Sequence, residues 1–145
     1  MHHLVRRDPR HENEHSWNPE AGQLDPQVLA GSNALISLNG ASVGQLPWTK
    51  SYRAKLHDSR LDATRTLASA VQQLGGEAPQ AWLSGSAVGY YGDRPGETLT
   101  ESSSAGDTFL ARLCVEWEEQ ARVAENTRVV RLRTAPVIHP EGVLK

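Results

Sequence analysis

Residues 80–93, QAWLSGSAVGYYGD, are the stretch that decides the fold class. Its first half, residues 80–84, is a short run that predicts a buried strand. Its second half begins a loop rich in glycine, serine and proline that continues to about Gly106. In a parallel α/β sheet, ligands bind beyond the carboxyl ends of the strands. The segment Ser84-Gly85-Ser86 is therefore a candidate site.

Helical patterns lie on both sides of this stretch. The apolar residues from Thr49 to Leu74 recur at helical spacing, and Gly75-Gly76 is a suitable stop. The Asp58-Ser59 pair leaves open whether this region is one helix or two. After the loop, we expect Asp107 to cap a further helix that runs to Ala121.

Further strands are predicted towards both ends of the chain. Leu4-Val5 resembles the end of a short strand, and the polar segment 8–20 reads as a loop. Asp25-Pro26 opens a short helix, and residues 34–38 form an apolar run suited to a buried strand. Residues 128–133 predict a last strand. Alternation of strands and helices predicts an α/β protein with a mainly parallel sheet, covered on both faces.

The bulk composition limits the classes of function. The chain has 145 residues, enough for one domain, with 38% hydrophobic and 22% charged residues and a net charge of −2. Basic and acidic residues are interspersed, so the sequence has no basic patch of the kind that binds nucleic acid. No apolar run approaches the roughly 20 residues that a membrane span needs. Cys114 is the sole cysteine, which excludes an intramolecular disulfide. We expect a cytoplasmic protein that binds no nucleic acid, no membrane and no metal.

Three segments together resemble a known superfamily. Residues 4–7 (LVRR), 59–67 (SRLDATRTL) and 84–93 (SGSAVGYYGD) are similar in order and spacing to the extended short-chain dehydrogenase/reductases. Within them, the chain resembles the NAD-dependent epimerase/dehydratase type and the subgroup named epimerase family proteins. The resemblance covers nearly the whole chain and implies a doubly wound Rossmann fold that binds a nicotinamide dinucleotide.

The resemblance also implies that parts of the fold lie outside this sequence. Family members begin with a strand and a Gly-x-x-Gly-x-x-Gly turn that opens a helix, and no glycine spacing here matches that turn. We therefore expect residues 1–145 to form one incomplete, partial Rossmann domain without the first strand and without the C-terminal substrate region. In the strand order 3-2-1-4-5-6 the first strand is central. We expect the strand ending at Val5 and the strand 81–83 to flank the resulting gap.

Several residues are candidates for cofactor binding by this resemblance. Arg6 and Arg7 follow the strand that ends at the adenosine ribose, where arginine suits a 2′-phosphate, so NADP is favoured and NAD remains possible. The alternative is that the two arginines simply keep a strand end soluble. Leu38 and Asn39 end the next predicted strand, a position at which residues of the resembling family contact the cofactor. The alternative, equally favoured, is that Leu38 is a core leucine and Asn39 a turn-forming asparagine.

Three further candidates come from the same comparison with family positions. Lys55 and Arg60 match positions that contact the dinucleotide in family members. A lysine on an amphipathic helix is, however, often simply a solvated residue. Val137 follows the last predicted strand, at the edge where ligands bind in such sheets.

The candidate catalytic residues are Ser86 and Tyr90. Ser86 matches the serine that hydrogen-bonds the substrate carbonyl or hydroxyl in active relatives. The proton shuttle of those enzymes is a Tyr-x-x-x-Lys pair on one helix face, and no tyrosine here has a lysine four positions later. Leu110 and Cys114 stand at the expected positions, or Phe109 and Leu113 with a slip of one residue.

Tyr90 offers a phenol beside Ser86, and its alternative role is to pack the loop against the sheet with Tyr91. The resemblance implies redox chemistry at a hydroxyl or carbonyl carbon of an unknown small molecule. The missing Tyr-x-x-x-Lys pair leaves a second function open, a non-catalytic protein that senses or sequesters NADP.

Overall fold

The computed structural model describes residues 1–122 and 127–136 and shows an α/β arrangement with parallel strands. This confirms the predicted fold class. In chain order the elements are β1 (His3–Val5), β2 (Glu14–Ser16), a 3-10 helix (Pro26–Leu29), β3 (Ala34–Ser37), α1 (Lys50–Leu74), a 3-10 turn (Gly75–Glu77), β4 (Ala81–Ala87), a 3-10 turn (Val88–Tyr91), α2 (Phe109–Ala121) and β5 (Arg128–Thr134).

The strands form two separate parallel sheets. β1 pairs with β2, and a three-stranded sheet has the order β3-β4-β5. In the larger sheet Ile36 is in register with Leu83, and Leu83 with Val130. In a doubly wound order, β1 and β3 would stand on either side of the expected gap.

Two expectations about the strands were wrong. The segment 8–20 is not all loop, because Glu14–Ser16 forms β2, a strand too short and polar to be recognised from its pattern. This additional strand shifts the count, so that Ala34–Ser37 flanks the gap rather than residues 81–83. β4 lies in the centre of its sheet, which suits its largely buried side chains.

Capping residues fix where the two helices begin. The Thr49 hydroxyl accepts a hydrogen bond from the Tyr52 N–H at 3.2 Å, and α1 then continues unbroken to Leu74. Gly75 follows at φ +55°, a conformation that favours glycine. α2 is capped by Thr108, whose hydroxyl accepts from the Ala111 N–H, and not by the predicted Asp107.

Both helices pack on one face of the larger sheet. Leu35 and Trp82 enter a core cluster with Leu67 and Val71 of α1 and Ala121 of α2. The Trp82 indole N–H also donates to the Ser37 hydroxyl at 2.9 Å. Coverage of both faces was predicted, but among the described residues the helices occupy this face alone. Neither helix in the described ranges is long and apolar enough to cross a membrane.

Candidate nucleotide-binding site

The loop after β3 is held against α1 by a set of hydrogen bonds. The Asn39 side-chain amide donates to the Ser59 carbonyl at 3.2 Å, and the Ala41 N–H donates to the Ser59 hydroxyl at 3.0 Å. Arg60 donates to the Ala41 carbonyl at 3.1 Å. The predicted candidates Asn39 and Arg60 therefore lie together, at the carboxyl end of β3.

Arg60 is a partly buried cation at this loop. Its guanidinium also donates to the Leu56 carbonyl at 2.9 Å and lies over the Trp117 ring, 5.3 Å from the ring centroid. Burial lowers the pKa of Arg60. In residues 1–122 and 127–136 no carboxylate forms an ion pair with it. A half-buried cation without an acidic partner suits an anionic ligand.

Leu38 precedes Asn39 in this loop and is 67% exposed, so it is not the core leucine of the alternative interpretation. Its apolar surface faces solvent next to Asn39 in the chain.

Arg6 and Arg7 follow β1, as predicted, but both are paired with acids. Arg7 makes two hydrogen bonds to the Glu14 carboxylate, at 2.7 and 2.8 Å, and Arg6 pairs with Glu20 at 2.5 Å. The hydrogen bond from Arg7 holds the pKa of Glu14 at about 2. A phosphate bound by these arginines would compete with the carboxylates.

Ser86 points into a buried polar cluster formed by β4, α2 and β5. Its hydroxyl donates to the Glu118 carboxylate at 2.7 Å, and Arg133 donates to both oxygens of Glu118 at 2.8 Å. Burial raises the pKa of Glu118, but the hydrogen bonds from Arg133 and Ser86 outweigh it, so the pKa is lowered. In this arrangement the Ser86 proton is directed at Glu118.

Tyr90 and Tyr91 pack around Arg133. The Arg133 guanidinium lies 3.5 Å from the centroid of the Tyr90 ring and donates to the Tyr91 hydroxyl at 2.9 Å. The two rings are perpendicular, with centroids 5.2 Å apart. This geometry fits the packing role considered for the tyrosine pair, and Arg133 is its centre.

The face of α2 opposite Ser86, within Phe109–Ala121, carries no tyrosine–lysine pair. Cys114 and Glu118, one helical turn apart on α2, both contact Ser86. Burial raises the pKa of the Cys114 thiol, which keeps it neutral. Leu110 packs against a second core cluster. No tyrosine on this face of α2 has a lysine one turn away.

The remaining two candidates are Lys55 and Val137. Lys55 is exposed, and its ammonium lies 5.8 Å from the Tyr52 ring centroid. Val137 lies outside the described residues. The pattern missed Glu118 and Arg133, although one signal was available: Glu118 is an acid on the apolar face that also carries Cys114, Trp117 and Ala121.

Comparison with known proteins supports the predicted resemblance. An epimerase family protein of Mycobacterium bovis is 40% identical over 141 residues, which are 96% of this chain and 46% of that protein. The chain is homologous to the epimerase family proteins. It spans less than half the length of this relative. No protein-family model matches the chain.

Two solved structures share the fold of this chain. A nucleoside-diphosphate sugar epimerase from Corynebacterium glutamicum has a TM-score of 0.72 at 32% identity, covering 90% of this chain and 27% of that one. Human epimerase family protein SDR39U1, solved with NADPH, has a TM-score of 0.79 at 26% identity, covering 96% and 46%. The strands and helices described above therefore form part of a Rossmann-like sheet, as predicted.

Proposed function

We propose that this protein binds a nicotinamide dinucleotide at the carboxyl ends of its strands, with NADP preferred over NAD. The observation that carries the proposal is the partly buried, acid-free Arg60 beside Asn39, in a fold shared with a relative solved with NADPH. Ligands of doubly wound sheets bind at this edge.

The residues present fit part of such a cofactor. Arg60 would hold an anionic group near the loop after β3, and Arg6 and Arg7 would face a 2′-phosphate at the end of β1. When bound, the nicotinamide would supply hydride transfer at a hydroxyl or carbonyl carbon. The glycine-rich pyrophosphate turn is not in this sequence, so we expect weak, about millimolar, affinity for the chain alone.

The test is a titration of the protein with NADPH and NADH, followed by NMR chemical shifts. Arg7→Asp should weaken NADPH binding more than NADH binding, because it places a negative charge against the 2′-phosphate. The matched control is Arg65→Asp on α1. Like Arg7, Arg65 is exposed and paired with an acidic residue, Asp62. Equal selectivity in Arg7→Asp and the unaltered protein would remove Arg6 and Arg7 from the site. Absence of any NADPH-dependent shift would refute dinucleotide binding.

A second function, non-catalytic NADP binding, is favoured by one observation. Ser86 is buried and its hydroxyl donates a hydrogen bond to Glu118. By the family resemblance, Leu110 and Cys114, or Phe109 and Leu113, stand where active relatives have the tyrosine and lysine. The two functions are separated by adding a nucleoside-diphosphate sugar with NADP⁺. Conversion of the sugar nucleotide, followed by NMR of its ring protons and lost in Ser86→Ala, would establish catalysis; accumulated reduced-nicotinamide absorbance would mark a net oxidation, since an epimerase returns its hydride to the sugar. Binding without any change in the sugar would support the sensor.

A further inference from the structure

Two histidine side chains meet on the small sheet formed by β1 and β2. His2 Nδ1 and His15 Nε2 lie 2.9 Å apart, and the centroids of the two rings are 5.1 Å apart. His2 directly precedes β1, and His15 lies within β2, in register with Leu4. The two histidines are 13 positions apart in the chain, so only the pairing of the strands brings them together.

The sheet holds one member of this pair in place. His15 is half-buried, and Leu4, its neighbour in register, packs against the buried core cluster. The preceding residue of β2, Glu14, accepts two hydrogen bonds from Arg7, which tie β2 to the chain that follows β1. His2 is exposed, so its ring can turn. An anchored imidazole beside an adjustable one suits the binding of a small ion between them.

The two facing atoms are ring nitrogens, which are ligands for Ni²⁺, Cu²⁺ and Zn²⁺. A neutral imidazole has one N–H and one acceptor nitrogen, so one of the two facing nitrogens donates to the other. A divalent cation can take the place of this shared proton. The donating ring then carries its proton on its other nitrogen, and both facing nitrogens present lone pairs. Two neutral rings can make this exchange with no net gain or loss of protons.

The spacing of the two nitrogens is that of neighbouring metal ligands. With metal–nitrogen bonds of about 2.0–2.1 Å, adjacent ligands of an octahedral or square-planar ion are about 2.9 Å apart, whereas tetrahedral ligands are about 3.3 Å apart. The 2.9 Å between His2 and His15 therefore fits Ni²⁺ or Cu²⁺ better than tetrahedral Zn²⁺. Within residues 1–122 and 127–136 no third histidine, cysteine or carboxylate completes the set, so water would fill the other positions.

We propose that His2 and His15 bind one Ni²⁺ or Cu²⁺ ion through their facing ring nitrogens, in an open site that keeps water ligands. No metal was expected from the sequence, since strand pairing creates the contact. His2 precedes β1 and Arg7 follows it, so the metal site lies at the opposite end of this strand from the arginines of the proposed dinucleotide site. Mg²⁺ and Ca²⁺ prefer oxygen ligands and should not compete for it.

Proton NMR with Ni²⁺ tests the assignment to these two rings. Six-coordinate Ni²⁺ is paramagnetic, so it broadens the resonances of the rings that bind it. The ring protons of His2 and His15 should broaden at sub-stoichiometric Ni²⁺. The other exposed histidines near them in the chain, His3 and His11, provide the matched comparison and should broaden only later. Acidification should reverse the broadening, because protons compete with the metal for the same nitrogens. Equal broadening of all four rings would overturn the proposal.

Isothermal titration calorimetry with Ni²⁺ measures the contribution of each ring. His2→Gln and His15→Gln should each weaken binding by about tenfold or more, because a single imidazole loses the advantage of a linked second ligand. The control His11→Gln should leave the affinity unchanged. His2 is exposed, so its variant tests the site even if His15→Gln disturbs β2. The proposal is also overturned by absence of saturable binding, by unchanged affinity in His2→Gln, or by equal weakening in His3→Gln or His11→Gln.

Discussion

Replacing Glu118 with glutamine tests the buried cluster most directly. The carboxylate is 4% exposed in its side chain and accepts three hydrogen bonds, one from Ser86 and two from Arg133, whose side chain is 16% exposed. A glutamine amide would turn a donor towards one of the Arg133 donors and would leave the guanidinium without a counter-charge. Removing one partner of a buried pair costs about 3–5 kcal/mol. We expect the lower value, about 3 kcal/mol, because Arg133 keeps its bonds to Tyr91 and to the Glu101 carbonyl.

Urea denaturation followed by tryptophan fluorescence measures this loss, since Trp82 and Trp117 are buried. With a slope of about 2 kcal/mol per molar urea, the midpoint should fall by about 1.5 M. The control is Glu119→Gln, the next residue, which is exposed and pairs with Arg122 at 3.1 Å. That change should cost less than about 0.5 kcal/mol. Equal midpoints for the two variants would refute the role given to Glu118.

The pH dependence of the same variant gives a second result. The folded pKa of Glu118 is lowered, so its contribution is present above the unfolded pKa and is lost as the pH falls through the folded value. The difference in stability between Glu118→Gln and the unaltered protein should therefore be largest near neutral pH. It should shrink on acidification below about pH 4.5. A difference that stays constant down to pH 3 would contradict the ionised pair.

Two further predictions concern other parts of the chain. In urea denaturation, Gly106→Ala should lower the free energy of unfolding by more than about 2 kcal/mol, because a Cβ there would lie 2.6 Å from the Tyr91 carbonyl oxygen. The control Gly76→Ala, which has open space around its Cβ, should change it little. NMR titration of the Glu14 carboxyl should give a pKa of about 2, and Arg7→Gln should return the pKa towards its ordinary value; an unchanged pKa in that variant would show that Arg7 is not the cause.

The larger elements could be predicted because their patterns are local. Helix α1 has apolar residues at helical spacing over 25 residues and a glycine stop, so both of its ends were recognisable. β2 was not recognisable, since Glu14, His15 and Ser16 carry no alternating apolar pattern and gain their strand geometry from pairing with β1. The error about which strand flanks the gap followed from that single missed strand.

Side-chain partners were harder to predict than elements. Asn39 was predicted from its place after a strand and Arg60, on α1, from the family resemblance, and the structure brings both to the loop after β3. The pairing of Ser86 with Glu118 joins residues 32 positions apart and depends on how α2 packs against β4. No periodicity reports such a contact, although a carboxylate on a buried helix face signals that a donor must lie opposite it.

The acid partners of Arg6 and Arg7 bear on whether these arginines can bind a phosphate. Arg6 and Glu20 are substantially exposed, so water and salt screen their ion pair. Arg7 is also exposed, but its partner Glu14 is only 11% exposed in its side chain, so that pair is screened less. A phosphate offers more negative charge and more acceptor oxygens than a carboxylate, and it would bind the planar Arg7 guanidinium in the same two-pronged manner. Exchange of Glu14 for a phosphate is therefore an exchange of similar hydrogen bonds. Glu14 therefore competes with the 2′-phosphate of NADP for Arg7, and the phosphate can replace it.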